Sequence, residues 1–188
     1  MDNIIYNRVS LNERANHMET RKMVYMALFT TMIFVATNIR IHLPLGTGGL
    51  VHIGTLMMFA IALKYGKTYG AVSAAIGMSL FDVLMGWGAW APGTFFVRLI
   101  AGFLVGFIAH SNKSFGSSII KNILAIIVGG VVIVSGYYIF ESIFITNFHG
   151  ALLSIPGNLM QIAIGVFAIF ILDSLPKLQF ENYTHSSI

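Results

Sequence analysis

The stretch FDVLMGWGAWAPGTFFVRL, residues 81–99, places an acid, two tryptophans and an arginine within an otherwise apolar part of the chain. Its glycines and its proline interrupt the apolar pattern, so the stretch predicts a turn between two helices. An apolar run lies on each side of this turn, at 69–86 and at 93–110. The stretch therefore predicts a helical hairpin with charged residues close to its connection.

The composition of the whole chain places these helices in a membrane. Of its 188 residues, 56% are hydrophobic and 10% are charged, whereas a soluble domain is about 45–50% apolar and about 25% charged. The length suits one compact domain. The net charge of +4 does not indicate a nucleic-acid partner, because basic residues beside apolar spans are the usual topology signal of membrane proteins. The absence of cysteine from the sequence excludes disulfides and cysteine-type zinc sites.

Apolar runs long enough to cross a bilayer recur along the chain. A spanning helix needs about 20 mostly apolar residues, within a range of about 17–25. The predicted fold class is an all-α integral membrane protein, a compact bundle of six transmembrane helices. The predicted spans are 22–39, 50–65, 69–86, 93–110, 119–144 and 156–175.

The basic residues predict an orientation for this bundle. The chain has eleven Lys and Arg residues, of which nine fall on one side of the predicted spans. Arg40 alone lies in a loop on the other side, and Arg98 lies inside a span. Positively charged loops stay in the cytoplasm. The N-terminal tail, 1–21, and the C-terminal tail, 177–188, are therefore predicted to be cytoplasmic, on either side of a membrane domain at 22–176.

This orientation brings the polar residues of four spans to one depth. An ionisable residue within a span costs about 2.5–3.5 kcal/mol and usually faces a cavity. Arg98, for example, lies about 8 Å below the outer edge of its span at 1.5 Å per residue. A proton path would need polar groups through the full thickness of the membrane. A shallow pocket open to the outside instead needs polar groups clustered at one depth. The predicted ligand-binding residues are Asp82, Trp87, Trp90, Arg98, Tyr137, Glu141, Asn158 and Gln161.

Seven of these eight residues also have a structural interpretation. The two tryptophans could anchor the membrane interface, and Arg98 and Glu141 could form a structural ion pair. Asp82 could pin a loop. Asn158 follows IPG at a predicted helix start, where it could satisfy free backbone N–H groups, and Gln161 could bond a neighbouring helix.

Neither a metal site nor a catalytic centre is predicted. A zinc enzyme would need a motif such as His–Glu-x-x-His, and the sequence contains none. Ser73 and Ser79 have no histidine at helical spacing, so an enzyme is not expected. Three histidines on the predicted outer side are well separated in the sequence and lack the spacing of metal ligands: His42, His52 and His149.

Pairs of small residues four positions apart recur on the predicted helices, and such pairs let helices approach closely in lipid. The pairs Gly70–Ala74 and Gly102–Gly106 predict internal packing. The pair Ala27–Thr31 differs, because the inner half of its span has small side chains and little polar chemistry. It predicts a flat docking surface for another subunit.

Three segments, in this order and spacing, resemble a known family. They are GGLVHIGTLMMFAIALKYGKTYGAVSAAIGMSLFDVLMGWGAWAPGTFFVRLIAG, SGYYIFES and SIPGNLMQIAIG. Over about residues 22–176 the chain resembles the substrate-binding S component of an energy-coupling factor (ECF) vitamin transporter, closest to the hydroxymethylpyrimidine or pyridoxine branch. A metal-specific S component is disfavoured, because that class carries a histidine after the initiator methionine and this chain has Asp2.

The resemblance implies a six-helix protein that captures a vitamin at the outer face. It implies association with a membrane scaffold subunit and two ATP-hydrolysing subunits, while this chain holds no cofactor and hydrolyses nothing itself. Ala27 and Thr31 occupy the place of a first-helix motif that contacts the scaffold, although Thr31 replaces the usual alanine. The loops at 39–49 and 145–154 resemble lids that close over bound ligand.

A small aromatic heterocycle suits the predicted pocket. The tryptophans, Tyr137 or Tyr138 can stack on its ring, and Asn158 and Gln161 can bond its hydroxymethyl groups. An acidic residue such as Glu141 can hold a protonated ring nitrogen.

The charged donor of Arg98 can bond a phenolate. Pyridoxine offers both groups and hydroxymethylpyrimidine lacks the phenolate, so pyridoxine is favoured. A self-sufficient carrier or channel is the main alternative. Secondary carriers often contain inverted repeats, and 22–86 shows no convincing repeat in 93–176.

Overall fold

The computed structural model describes the backbone of residues 2–41 and 51–176, and the side chains of 18–40 and 51–176. The C-terminal tail, His42 and most of the first predicted lid lie outside these residues.

Helices make up nearly all of the described chain. They are α1 Asp2–Asn38, α2 Gly54–Tyr65, α3 Lys67–Leu84, α4 Ala91–Ala109, α5 Ile119–Phe144, α6 Phe148–Ala151, α7 Ile155–Gly165 and α8 Ala168–Ile171. Single 3₁₀ turns occupy Ser111–Lys113, Leu152–Ser154 and Leu172–Ser174. Two short strands, β1 Arg40–Ile41 and β2 Val51–His52, pair antiparallel beyond the end of α1.

The predicted all-α membrane fold is confirmed. Among the described residues, three helical segments have the length and composition to cross a membrane: Ala91–Ala109, Ile119–Phe144 and Phe148–Ser174. Gly54–Tyr65 is also apolar but shorter. The predicted spans at 22–39 and 69–86 lie within α1 and α3, so they are helical, and their crossing of the membrane remains a prediction.

The first helix extends beyond its predicted limits, whereas the sixth predicted span is helical along nearly all its length. α1 begins at Asp2, well before the predicted start at position 22, because residues 2–21 contain no glycine or proline to end a helix. Nearly all of the predicted sixth span lies within the helical segment Phe148–Ser174, in which Val166 and Phe167, between α7 and α8, keep right-handed helical dihedrals. A Cβ atom at position 165 would lie 2.7 Å from Phe59 Cδ2, so only glycine lets α7 approach α2 this closely.

The core of the bundle is built around α2, which packs against α1, α3, α4, α7 and α8. Its residues 58–63 are fully buried. Beside it, α3 and α4 pack tightly through their small residues. A Cβ at Gly102 would lie 2.5 Å from the carbonyl oxygen of Gly70, and one at Gly106 would lie 2.3 Å from the Lys67 nitrogen. The predicted internal packing role of these small residues is confirmed.

Candidate ligand-binding site

A cavity of about 70 Å³ opens at the end of the bundle where α3 ends and α4 begins. We refer to this as the cavity end. Since a single water needs about 10–15 Å³, the cavity has room for several water-sized groups. All eight predicted ligand-binding residues line it, together with three that were not predicted to do so: His52, Thr94 and Ser154.

The connection between α3 and α4 forms the aromatic side of the cavity. Gly86 has a φ of 86°, a left-handed conformation that favours glycine. The turn is closed by backbone bonds from Trp87 to the Asp82 carbonyl, at 2.8 Å, and from Trp90 to the Trp87 carbonyl, at 2.9 Å. The two indole rings meet edge to face, with centroids 5.3 Å apart. The predicted breakers therefore produce a turn that holds both rings beside the cavity.

The indole of Trp90 ties this turn to α5. Its Nε1 donates to Glu141 Oε1 at 3.1 Å, and an indole nitrogen can only donate. Glu141 is half-buried and lies in the last turns of α5. The carboxylate thus keeps further acceptor positions beside the cavity, since an ionised carboxylate accepts about four hydrogen bonds.

Arg98 is the most deeply buried charged residue of the site, with 1% of its surface exposed. Its Nη1 donates to Thr55 Oγ1 at 3.0 Å, its Nη2 to Gln161 Oε1 at 3.0 Å, and its Nε to Tyr137 Oη at 3.3 Å. The structural ion pair with Glu141 is therefore not what holds the guanidinium, whose partners here are neutral oxygens. These bonds use three of the five guanidinium N–H groups.

Gln161 and Thr55 join α7 to α2 beneath this guanidinium. Thr55 Oγ1 donates to Gln161 Oε1 at 2.8 Å, so the predicted interhelical bond of Gln161 is present while its side chain also lines the cavity. Thr55 is fully buried. Asn158, one turn before Gln161, is buried at the wall of the same cavity.

His52 lines the cavity from β2, where it pairs in register with Arg40. Its ring is 8% exposed, and its Nδ1 is buried without a hydrogen-bond partner among the described residues. His149 is exposed in α6. No group of three or more histidine or acidic residues that could hold a metal ion occurs within the described part of the chain.

Of the three lining residues that the sequence analysis missed, two carry hydroxyl groups and the third is His52. Thr94 lies four positions before Arg98 on α4, and Ser154 lies four positions before Asn158. Residues at this spacing share a helix face, so the spacing alone could have indicated them. Thr55 is the exception, because no charged neighbour on its own helix points to it.

The position of this cavity, ringed by polar side chains from several apolar helices, suits a membrane protein that captures a ligand. The chain matches the family of ECF-type riboflavin transporter S components over residues 17–176. The chain belongs to this family. It is a substrate-binding subunit of an ECF transporter and not an enzyme, and S components pair with an ECF scaffold and ATPase module and bind a vitamin-type ligand. Comparison with curated proteins gives no match.

The predicted resemblance to an S component is therefore confirmed, and the predicted membrane location agrees with it. The pyridoxine or hydroxymethylpyrimidine branch stays a prediction, as do the roles of the individual cavity residues.

Proposed function

We propose that this S component captures a small heteroaromatic vitamin, pyridoxine in preference to hydroxymethylpyrimidine. The observation that carries the proposal is a cavity lined by both a buried cation and a half-buried carboxylate that are not bonded to each other. Arg98 bonds neutral oxygens, and Glu141 bonds an indole N–H. Both charged groups are therefore available to a ligand that carries the opposite charges.

Pyridoxine offers these charges on one ring. Near neutral pH its ring nitrogen can be protonated and its ring hydroxyl ionised. The carboxylate of Glu141 can accept from the pyridinium, while the N–H groups of Arg98 not used within the protein can donate to the phenolate, in a strong charge-assisted bond. Hydroxymethylpyrimidine satisfies Glu141 but presents no anion to Arg98.

The aromatic residues support a flat ligand. Trp87, Trp90 and Tyr137 all line the cavity, and an aromatic pair contributes about 0.5–1.5 kcal/mol beyond the area that it buries. Asn158 and Gln161, on one face of α7, offer amide groups to hydroxymethyl substituents. The cavity volume of about 70 Å³ favours a single ring.

Riboflavin is the second candidate, because the family that the chain matches is described by that vitamin. Its three fused rings and its polyol chain need far more room than a single ring, and it carries no phenolate for Arg98. Riboflavin binding would therefore require the cavity to widen.

Docking to the scaffold is proposed for the face of α1 that carries Ala27 and Thr31. Both residues are exposed, and the Thr31 hydroxyl donates to the Ala27 carbonyl at 2.9 Å. Because its hydroxyl is already satisfied, Thr31 can act as a small residue at a close helix contact.

The basic residues of the loops support an orientation with the cavity end outside and both termini in the cytoplasm. In this arrangement two partner subunits hydrolyse ATP, and this chain needs no cofactor.

Calorimetric titration of the purified full-length chain tests the ligand. We expect pyridoxine to bind at least tenfold more tightly than hydroxymethylpyrimidine, with riboflavin weaker still. If riboflavin bound more tightly than pyridoxine, riboflavin would be the supported ligand. If none of the three compounds bound, the proposal would be overturned.

Uptake into liposomes tests the coupling. We expect no accumulation by this chain alone and ATP-dependent accumulation with the scaffold and ATPase module. Gradient-driven uptake by the chain alone would instead support a self-sufficient carrier.

A further inference from the structure

The geometry points to a directional hydrogen-bond relay from Arg98 through Tyr137 and Thr94 to Asp82, in which Thr94 and Asp82 act as positioning residues for the binding site. We use the word relay for these four side chains. The effect of the relay on vitamin affinity rests on the proposed function, whereas its existence does not.

The relay is continuous across three helices. Arg98 Nε, on α4, donates to Tyr137 Oη, on α5, at 3.3 Å. Tyr137 Oη donates to Thr94 Oγ1, one turn before Arg98 on α4, at 3.0 Å. Thr94 Oγ1 in turn donates to Asp82 Oδ2 at the end of α3. A cation and a carboxylate that are not in direct contact are thus linked through two hydroxyl groups.

The charges at the two ends fix the direction of every bond between them. A guanidinium can only donate, and an ionised carboxylate can only accept. Each hydroxyl has a single proton, so accepting from the arginine side obliges it to donate towards the aspartate. Bonds aligned in this way polarise one another. The relay therefore holds the hydroxyl protons of Tyr137 and Thr94 in one orientation.

Burial explains why such a linkage is needed. Arg98 is 1% exposed, Thr94 3% and Tyr137 8%, and a buried charge without compensation is strongly unfavourable. The carboxylate of Asp82 supplies compensating charge at a distance, without occupying any N–H group of Arg98 itself. A direct Asp82–Arg98 pair would have occupied such groups.

The fixed direction also determines what Tyr137 presents to a ligand. Its proton is committed to Thr94, so towards the cavity it can only accept. On this basis the relay favours a ligand whose donor group faces Tyr137 and whose anionic oxygen faces Arg98. Thr94 and Asp82 impose this selectivity without themselves needing to contact the ligand.

A mutant cycle on the full-length chain in detergent tests the relay without any ligand. Asp82→Asn and Tyr137→Phe are made singly and together, first with Thr94 intact and then in a Thr94→Val background, and thermal unfolding is measured. With Thr94 intact, we expect the double variant to lose at least about 2 °C less than the sum of the single losses. In the Thr94→Val background this non-additivity is expected to vanish.

Thr94→Ser keeps the hydroxyl and serves as the matched control, in which the non-additivity should persist. Additive losses with Thr94 intact, or non-additivity that survives Thr94→Val, would overturn the relay. If Thr94→Val does not fold, Thr94→Ala removes the same hydroxyl and is judged by the same criteria.

Titration with pyridoxine adds a measurement that a purely structural role of Thr94 would not affect. Thr94→Val should weaken pyridoxine binding about tenfold and Thr94→Ser should restore it, whereas an analogue without the ring hydroxyl should lose less than threefold. Equal losses for both compounds would overturn the positioning role. If the unmodified chain binds no pyridoxine, the proposed function fails, and the ligand-free cycle still decides whether the relay exists.

Discussion

The two ends of the helical bundle use their polar side chains in different ways. At the cavity end, several buried polar side chains bond one another across helices, as Arg98 does with Thr55 and Tyr137. At the opposite end they bond backbone carbonyls. Lys121 Nζ donates to the Ser111 carbonyl at 2.7 Å, for example.

Further ties at this opposite end are of the same kind. Tyr65 Oη donates to the Pro176 carbonyl at 2.9 Å, and Asn122 Nδ2 donates to the Gly116 carbonyl at 2.7 Å. Bonds to the backbone fix the course of a connection, whereas bonds between side chains form a lining that can also receive a ligand. Under the proposed function, the polar groups of the cavity end bind the ligand, whereas those of the opposite end contribute to stability. Substitutions at the two ends should therefore separate affinity from stability.

Replacing the buried cation should give the largest effect. We expect Arg98→Gln to weaken pyridoxine binding at least about 100-fold, close to 2.7 kcal/mol, because the substitution removes the charge that would meet the phenolate. Titration calorimetry and thermal unfolding should be measured together. Arg98→Lys is the control that retains the charge but loses the planar fork, and its affinity should fall between the two. An affinity of Arg98→Gln within threefold of the unmodified chain would mean that Arg98 has no part in recognition.

Neutralising the carboxylate of Glu141 should have the next largest effect. Glu141→Gln can still accept from Trp90 Nε1, so we expect little change in the unfolding temperature. Pyridoxine binding should weaken more than tenfold, about 1.4 kcal/mol, because a charged partner for the pyridinium is lost. Unchanged affinity would return Glu141 to a structural role as the anchor of the α3–α4 turn.

A substitution at the opposite end should give the smallest change in binding. Tyr65→Phe removes the bond to the Pro176 carbonyl, and one hydrogen bond contributes about 0.5–1.5 kcal/mol. We expect the unfolding temperature to fall by about 1–6 °C and the pyridoxine affinity to stay within twofold. A loss of affinity as large as that of Glu141→Gln would contradict the proposed division between the two ends.

Much of the cavity could be predicted from the sequence, because an ionisable residue within an apolar span is costly unless it faces a cavity. Once the basic loops set an orientation, Asp82, Arg98 and Glu141 fell at one depth, and the structure brings them around one cavity. The hydrogen-bond partner of each of these side chains could not be predicted. The sequence offered an Arg98–Glu141 pair, but that choice depends on how the helices are rotated relative to one another.

The hydroxyl residues show why the rest could not be predicted. A threonine in a helix can bond its own backbone one turn earlier, as Thr30, Thr31 and Thr37 do here. Thr55 and Thr94 instead bond side chains of other helices. Nothing in the local sequence separates these two behaviours, because the distinction depends on the neighbouring helix.

The close approach of Gly165 to Phe59 makes position 165 important for the placement of α7. Gly165 lies one helical turn, about 5.4 Å, from Gln161, and any side chain there would press on Phe59. Relief would come from α7 moving outward, carrying the amide of Gln161 away from the arginine that it supports. A bulkier residue at 165 would then need a smaller one at 59, so among related sequences these two positions should vary as a pair.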